Sequence, residues 1–188
     1  MFYRISAMTM TFGYTTFDAE IGTSGIAWSE RGIVGVQLPE KTEAATRARM
    51  LRRFPDAVEQ QPPPEIASAI EAIRALMRGE PSDLSGIVLD VDGLTAMQRS
   101  VYDITRTIAP GRTMTYGEIA KRIGIPRNAR EVGKALGDNP FPIIVPCHRV
   151  VAADGRMHGF SGSGGVRTKL KLLEIEGYEA VPGPSLFD

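Results

Sequence analysis

The sequence predicts an α/β half followed by a mainly helical half, on three observations. Turn formers at Gly22, Gly25 and Ser29-Glu30-Arg31-Gly32 cut the early chain into short strand-like segments. From Lys41 to Phe54 there is neither Gly nor Pro, and Ala, Arg and Glu dominate, as a helix requires. After Asp92-Gly93 the apolar spacing becomes helical, and two capped helices flank a tight Gly/Pro turn. The division falls between 1–92 and 93–188.

In the first half, Tyr14–Asp18, Gly25–Trp28 and Gly32–Pro39 read as an antiparallel meander. The helix over Lys41–Phe54 is expected to lay one face on that sheet. Gln60-Gln61-Pro62-Pro63-Pro64 breaks the chain, and Pro64 suits the first turn of a second helix, through Met77, closed by Gly79 and Pro81. Ile87–Val91 reads as another strand. Asp18, Glu20 and Trp28 have ordinary turn or core readings, so this half supplies no catalytic constellation.

In the second half, Met97, Val101, Ile104 and Ile108 define a helix over Leu94–Ala109, stopped by Pro110-Gly111. Thr115-Tyr116-Gly117-Glu118 is a capping box opening a helix over Tyr116–Ile123. Gly124-Ile125-Pro126-Arg127 turns the chain, and Asn128-Ala129-Arg130-Glu131 opens a further helix at the same cap spacing. Ala129, Val132, Gly133 and Leu136 form its inward face, which leaves Arg130 and Lys134 exposed one turn apart. That pair suits contact with phosphates or a base stack, and a plain solvated face has the same pattern.

With 188 residues and 43% hydrophobic content, the chain has the composition of a soluble globular protein. The first residues lack the apolar core of a signal peptide, and no apolar run approaches the roughly 18 residues of a membrane span. A place inside the cell, in the cytoplasm, is expected, with no membrane partner. One Cys and two His exclude an internal disulfide and a zinc site built from four Cys or from two Cys and two His. No metal and no cofactor are expected. Net charge is zero, yet Met1–Val91 carries 9 basic against 12 acidic residues and Asp92–Ala180 carries 13 against 9, so the halves are at −3 and +4. The basic excess, compatible with a phosphate-binding face, lies with the cysteine.

That cysteine sits in Ile143-Ile144-Val145-Pro146-Cys147-His148-Arg149-Val150-Val151, whose β-branched flanks read as a buried strand. Burying a thiol, an imidazole and a guanidinium side by side is costly unless they are paired, which points to a site. A thiol of ordinary pKa near 8.5 is only a few per cent ionised at neutral pH, so a neighbouring base must raise that fraction. In a strand, consecutive side chains face opposite ways, so contact between His148 and the thiol needs a turn at Pro146 or a bridging water. His158 has no partner that the sequence identifies.

The capped helix pair, then Asn139-Pro140, Pro146-Cys147-His148-Arg149-Val150, a Gly-rich loop and Leu172-Leu173-Glu174-Ile175-Glu176-Gly177 resemble the alkylguanine-DNA alkyltransferases, from about Gly111 to Gly177. The resemblance implies a small ribonuclease-H-like α/β domain followed by a winged helix-turn-helix domain that carries the thiol. It implies single-turnover DNA repair: an alkyl group moves from O6 of a flipped guanine in double-stranded DNA, irreversibly, to Cys147. The protein is then a suicidal methylated-DNA–[protein]-cysteine S-methyltransferase, monomeric and associated with the nucleoid. Cys147 resembles the acceptor, His148 the group that activates it through a water, Glu176 the carboxylate orienting the His, Tyr116 the phenol donating to guanine, and Asn139 the hinge. Arg130 resembles the finger that fills the gap left by the base, on a helix whose small Ala129 and Gly133 permit close approach and whose Lys134 adds charge. Val150, Phe160 and Ser161 are implied to line the base pocket. The loop before Glu176 is about two residues longer than is usual in the family, which makes Glu174 a rival for the carboxylate. The alternatives are an alkyl-lesion-binding protein that accepts no group, a Cys-His hydrolase, which would need an oxyanion hole, and a plain winged-helix regulator.

Overall fold

The computed structural model describes residues 12–154, 160 and 162–178. Strands β1 (Phe12–Ala19), β2 (Gly22–Ser29) and β3 (Gly32–Gln37) form the antiparallel meander. Gly22 and Gly32 close its hairpins at φ 116° and 136°, where a side chain would be strained. A three-residue strand, β4 (Ala57–Glu59), joins β1 in parallel and sets the order β3-β2-β1-β4. β4 leaves no signal in the sequence, because two of its three residues are exposed and it is too short to alternate.

Helix α1 (Glu43–Arg53) is capped by Thr42, whose hydroxyl accepts from the Ala45 amide. Its Met50 packs with Tyr14 and Ala27 on one face of the sheet. Helix α2 (Pro64–Met77) runs between the residues expected, with Pro64 in its first turn. Its Ile66, Ile70 and Ile73 join Phe17, Ile26 and Trp28 on the other face.

The strand expected over Ile87–Val91 is absent. A single parallel bridge, Ile33 to Leu89, ties that segment to β3, and Val88 is two-thirds exposed. Side-chain bonds from Ser29 and Arg31 to Asp90 anchor the segment instead. A Cβ at Gly32 would lie 2.7 Å from the Val88 carbonyl, so the approach also depends on that glycine.

Helices α3 (Ala96–Arg106), α4 (Tyr116–Arg122) and α5 (Ala129–Gly137) follow, α3 being shorter than Leu94–Ala109 at both ends. Capping boxes of Thr95 with Gln98 and Thr115 with Glu118 start the first two. The cap expected at Asn128 does not form: its ψ of 43° is not extended, and its side chain makes no capping bond. Val132, Ala135 and Leu136 are the fully buried residues of α5, with Ala129 and Gly133 half-buried at the margin. Strands β5 (Met114–Thr115) and β6 (Val150–Val151) pair in parallel, and α6 (Val166–Ile175) ends the described chain.

The cysteine segment is not the strand that its composition suggests. Pro142 and Pro146 have no amide hydrogen for a ladder. The chain instead makes a turn in which Val145 donates to the Phe141 carbonyl, then a single 3₁₀ turn over Cys147–Arg149; only Val150–Val151 is extended. One apolar cluster runs through both halves, joining Ile26, Val36 and Ile73 to Val101, Ile144 and Leu172. The turn bearing the thiol therefore sits where sheet and helices meet.

Candidate active site

Cys147 opens the 3₁₀ turn, half-buried, on a cleft of about 200 Å³ lined among others by Leu38, Arg53, Asn139, Pro142 and Phe160. Residues in a 3₁₀ turn are about 120° apart, which sends Cys147, His148 and Arg149 in three directions. The cysteine faces the cleft, while His148 and Arg149 point into the core.

Both buried groups meet one carboxylate. His148 Nε2 lies 2.9 Å from Glu176 Oε1. Arg149 donates to the same carboxylate through Nε, at 2.9 Å to Oε2, and Nη2, at 2.7 Å to Oε1, and its Nη1 donates to the Ile108 carbonyl. Burial would raise the Glu176 pKa, but the bonds from His148 and Arg149 overcome it and hold the group down at about 2. Burial also lowers the His148 pKa from its usual 6.5, against the pull of Glu176, so the ring is neutral at neutral pH. An ionised partner at Nε2 assigns the proton to that nitrogen and leaves Nδ1 as the basic one. Nδ1 is buried and has no hydrogen-bond partner among the described residues.

Local sequence places Glu176 at this point. Gly177, at φ 72°, ends α6 in a Schellman motif: its amide donates to the Glu174 carbonyl and that of Tyr178 to the Leu173 carbonyl. Glu176 is thereby the C-cap of α6, with its side chain fully buried, whereas Glu174 is exposed. The His contact belongs to Glu176 and not to Glu174.

The thiol has its own neighbours. Burial pushes its pKa above the ordinary value, opposed by the nearby Asn139 side chain and by the charge of Lys169. Asn139 also spans the turn, receiving the Phe141 amide at Oδ1 and donating from Nδ2 to the Val145 carbonyl, both at 2.9 Å. Lys169 is fully buried; it donates to the Val150 carbonyl, its Nζ lies 6.0 Å from the Tyr116 ring centre, and burial lowers its pKa. Tyr116, half-buried in the first turn of α4, has its phenol pKa raised by burial and by the thiol, so it remains protonated.

A thiol, a neutral His with a free basic nitrogen, an ionised carboxylate and a protonated phenol are the parts of a nucleophilic site. Comparison with known proteins agrees. Residues 96–178 match the model of the 6-O-methylguanine DNA methyltransferase DNA-binding domain. A methylated-DNA–protein-cysteine methyltransferase of Mycobacterium tuberculosis is 37% identical over 175 residues, covering 93% of this chain and 98% of that one. The chain belongs to the methylated-DNA–protein-cysteine methyltransferase family. Another member, from Methanothermobacter thermautotrophicus, is 35% identical over 81% of this chain and 78% of its own. The crystal structure of Mycobacterium tuberculosis OGT in complex with DNA superposes with a TM-score of 0.70 at 33% identity, covering 88% of this chain and 93% of that one.

Within this methyltransferase, Cys147, His148, Glu176, Asn139 and Tyr116 gather around the 3₁₀ turn. Val150 is buried behind it and lends its carbonyl to Lys169; Phe160 lines the cleft. Ser161 and His158 lie outside the described residues. Arg130 and Lys134 stand apart on the exposed face of α5. Gly133 is 3.8 Å from the Tyr116 ring as measured from an added Cβ, an ordinary contact that a side chain could make.

Two contributors carry little signal in the sequence. Lys169 stands in a helix where lysine normally reads as solvated surface, and only its burial reveals it. Arg149 reads in the sequence as a costly charge without a partner; its place beside His148 is the signal, since both reach the Glu176 carboxylate.

Proposed function

We propose that this protein repairs O6-alkylguanine in double-stranded DNA by moving the alkyl group to Cys147, once per molecule. One observation carries the proposal: His148 Nε2 lies 2.9 Å from the fully buried Glu176 carboxylate, beside a thiol on an open cleft. His148 Nδ1 takes the Cys147 proton, through a water. The thiolate attacks the saturated carbon, the S–C bond forms as the C–O6 bond breaks, and the electron pair departs on guanine. Tyr116 donates a hydrogen bond to the departing base, so negative charge does not accumulate there, and the proton taken up by His148 passes to guanine through solvent. Glu176 stabilises the imidazolium and Arg149 holds Glu176. The product is a thioether that no group here can cleave.

The target atom is out of reach within a duplex, so the base is extruded at a cost of a few kcal/mol. Helices α4 and α5 with the β5–β6 pair support a winged helix-turn-helix reading for 93–188, in which α5 enters the DNA. Arg130 inserts into the stack, with Ala129 and Gly133 permitting close approach and Lys134 facing phosphates. The meander with its parallel fourth strand supports a ribonuclease-H-like reading for 1–92. Val150, Phe160 and Ser161 line the base pocket. The protein works as a monomer in the cytoplasm, at the nucleoid, without cofactor. A lesion-binding protein that accepts no group would not use Cys147.

The test is intact-mass analysis after incubation with an oligonucleotide containing O6-methylguanine. One methyl group is expected, on Cys147, at most once per molecule and absent from Cys147→Ser. Turnover beyond one equivalent, or modification elsewhere, refutes the mechanism.

A further inference from the structure

We propose that Arg53, on the last turn of α1 and 94 residues from the thiol in sequence, is a positioning residue for alkyl transfer. It acts through the Pro140 carbonyl. The proposal rests on the activity proposed above, but concerns a residue of the sheet half that has no part in the chemistry.

The observation is a closed ring of hydrogen bonds between the two halves. The Val36 amide of β3 donates to the Pro140 carbonyl at 2.8 Å. Arg53 Nη2 donates to that same carbonyl at 3.2 Å, and Arg53 Nη1 donates at 2.9 Å to the Val36 carbonyl. One planar guanidinium thus braces both partners of the contact, a geometry that the forked Arg side chain can make and a single ammonium cannot. No carboxylate pairs with Arg53 among the described residues; the Phe54 ring lies 5.3 Å below its guanidinium. The space is reserved by Gly35, where an added Cβ would fall 2.6 Å from the Phe54 ring and 3.2 Å from Arg53 Nη2.

From Pro140 the connection to the thiol is short. Pro140 follows Asn139, whose amide holds the Phe141 amide and the Val145 carbonyl, and that carbonyl also accepts from the Cys147 amide at 2.8 Å. Asn139 also lies close enough to the thiol to lower its pKa. The turn so held contains Ile143 at φ 78°, a left-handed conformation disfavoured for a β-branched residue. Such strain persists only where the surroundings over-determine the backbone. Asn139 braces the turn from inside, and Val36 with Arg53 braces it from the sheet. Without the guanidinium, Pro140 keeps one donor, the turn loosens, and the Val145 carbonyl that Asn139 and the Cys147 amide share shifts, carrying the thiol away from Asn139.

The test combines transfer rate with titration of the thiol. Arg53→Ala is expected to slow single-turnover transfer three- to tenfold and to move the pH midpoint of Cys147 alkylation by iodoacetamide upward. Arg53→Lys, which can serve one carbonyl but not both, should fall between wild type and Ala. Gly35→Ala, which displaces the guanidinium while keeping its charge, should reproduce the upward midpoint, and Arg52→Ala, exposed on the same helix, should not. A variant that melts earlier yet keeps the wild-type rate and midpoint while folded overturns the positioning role. The iodoacetamide midpoint reads the thiol without DNA, so it decides this proposal even if methyl transfer from DNA fails in the wild type.

Discussion

Replacing Glu176 by Gln tests the centre of the site most directly, because three charge-assisted bonds converge there. The carboxylate accepts from His148 Nε2, Arg149 Nε and Arg149 Nη2, at 2.9, 2.9 and 2.7 Å. A Gln amide presents one acceptor oxygen and aims an NH₂ group at donors on the other side. Arg149, nearly inaccessible to solvent, would lose its counter-charge and one of its two bonds to residue 176, keeping the Ile108 carbonyl. Stranding one member of a buried ion pair costs about 3–5 kcal/mol. For a chain of this size that corresponds to a fall in Tm of roughly 6–20 °C. Loss of the group that sets the His148 tautomer should slow transfer by about 10²-fold or more, the usual scale of acid–base assistance. The assay is quench-flow transfer of a labelled methyl group, run well below the variant's melting temperature, with calorimetry alongside. Arg149→Met added to Glu176→Gln removes the stranded charge, so it should restore much of the stability and none of the rate.

The same carboxylate sets acid sensitivity. Its pKa is about 2 in the folded protein against 4.5 ordinarily, so its stabilisation is complete above pH 4.5 and is lost as pH falls towards 2. The gap corresponds to about 3 kcal/mol, so Glu176→Gln should show a flatter stability profile over that range. A Tm within about 2 °C of wild type, or equal damage from Glu174→Gln on the exposed side of α6, would refute the reasoning.

Lys169→Met should leave stability unchanged or raise it, because a buried amine is exchanged for an apolar chain of similar length. It should also shift the alkaline titration of Cys147 further upward and slow transfer at neutral pH severalfold; an unshifted thiol would remove Lys169 from the site. Arg130→Ala should slow repair in duplex DNA at least tenfold more than reaction with free O6-benzylguanine. Equal losses on both substrates would count against its insertion into the base stack.

Most helices were legible because their signals are local. Pro64 in a first turn and Thr115 three residues before Glu118 act within one turn of backbone, and the elements begin where those residues stand. The failures share a cause as well. Ile87–Val91 and Ile143–Val151 have strand composition, but a strand needs a partner edge. The first finds one rung, and in the second two prolines remove donors while Asn139 supplies a different set of bonds. A three-residue β4 has no periodicity to detect.

The sequence by itself determined that a capped helix pair is followed by Asn139-Pro140, a lone thiol beside a His, a Gly-rich loop, and an acid before a helix-ending Gly, and that order carries the family resemblance. It left Glu174 and Glu176 as rivals, Arg149 without a partner and Lys169 unnoticed. Those were decided by tertiary structure. A Schellman turn one residue long in its consequences buries Glu176 and exposes Glu174, and burial is a property of the packed chain rather than of residue type. The direction in which Cys147, His148 and Arg149 point was likewise decided by a 3₁₀ turn, entered from a Phe141–Val145 turn that Asn139 holds at both ends.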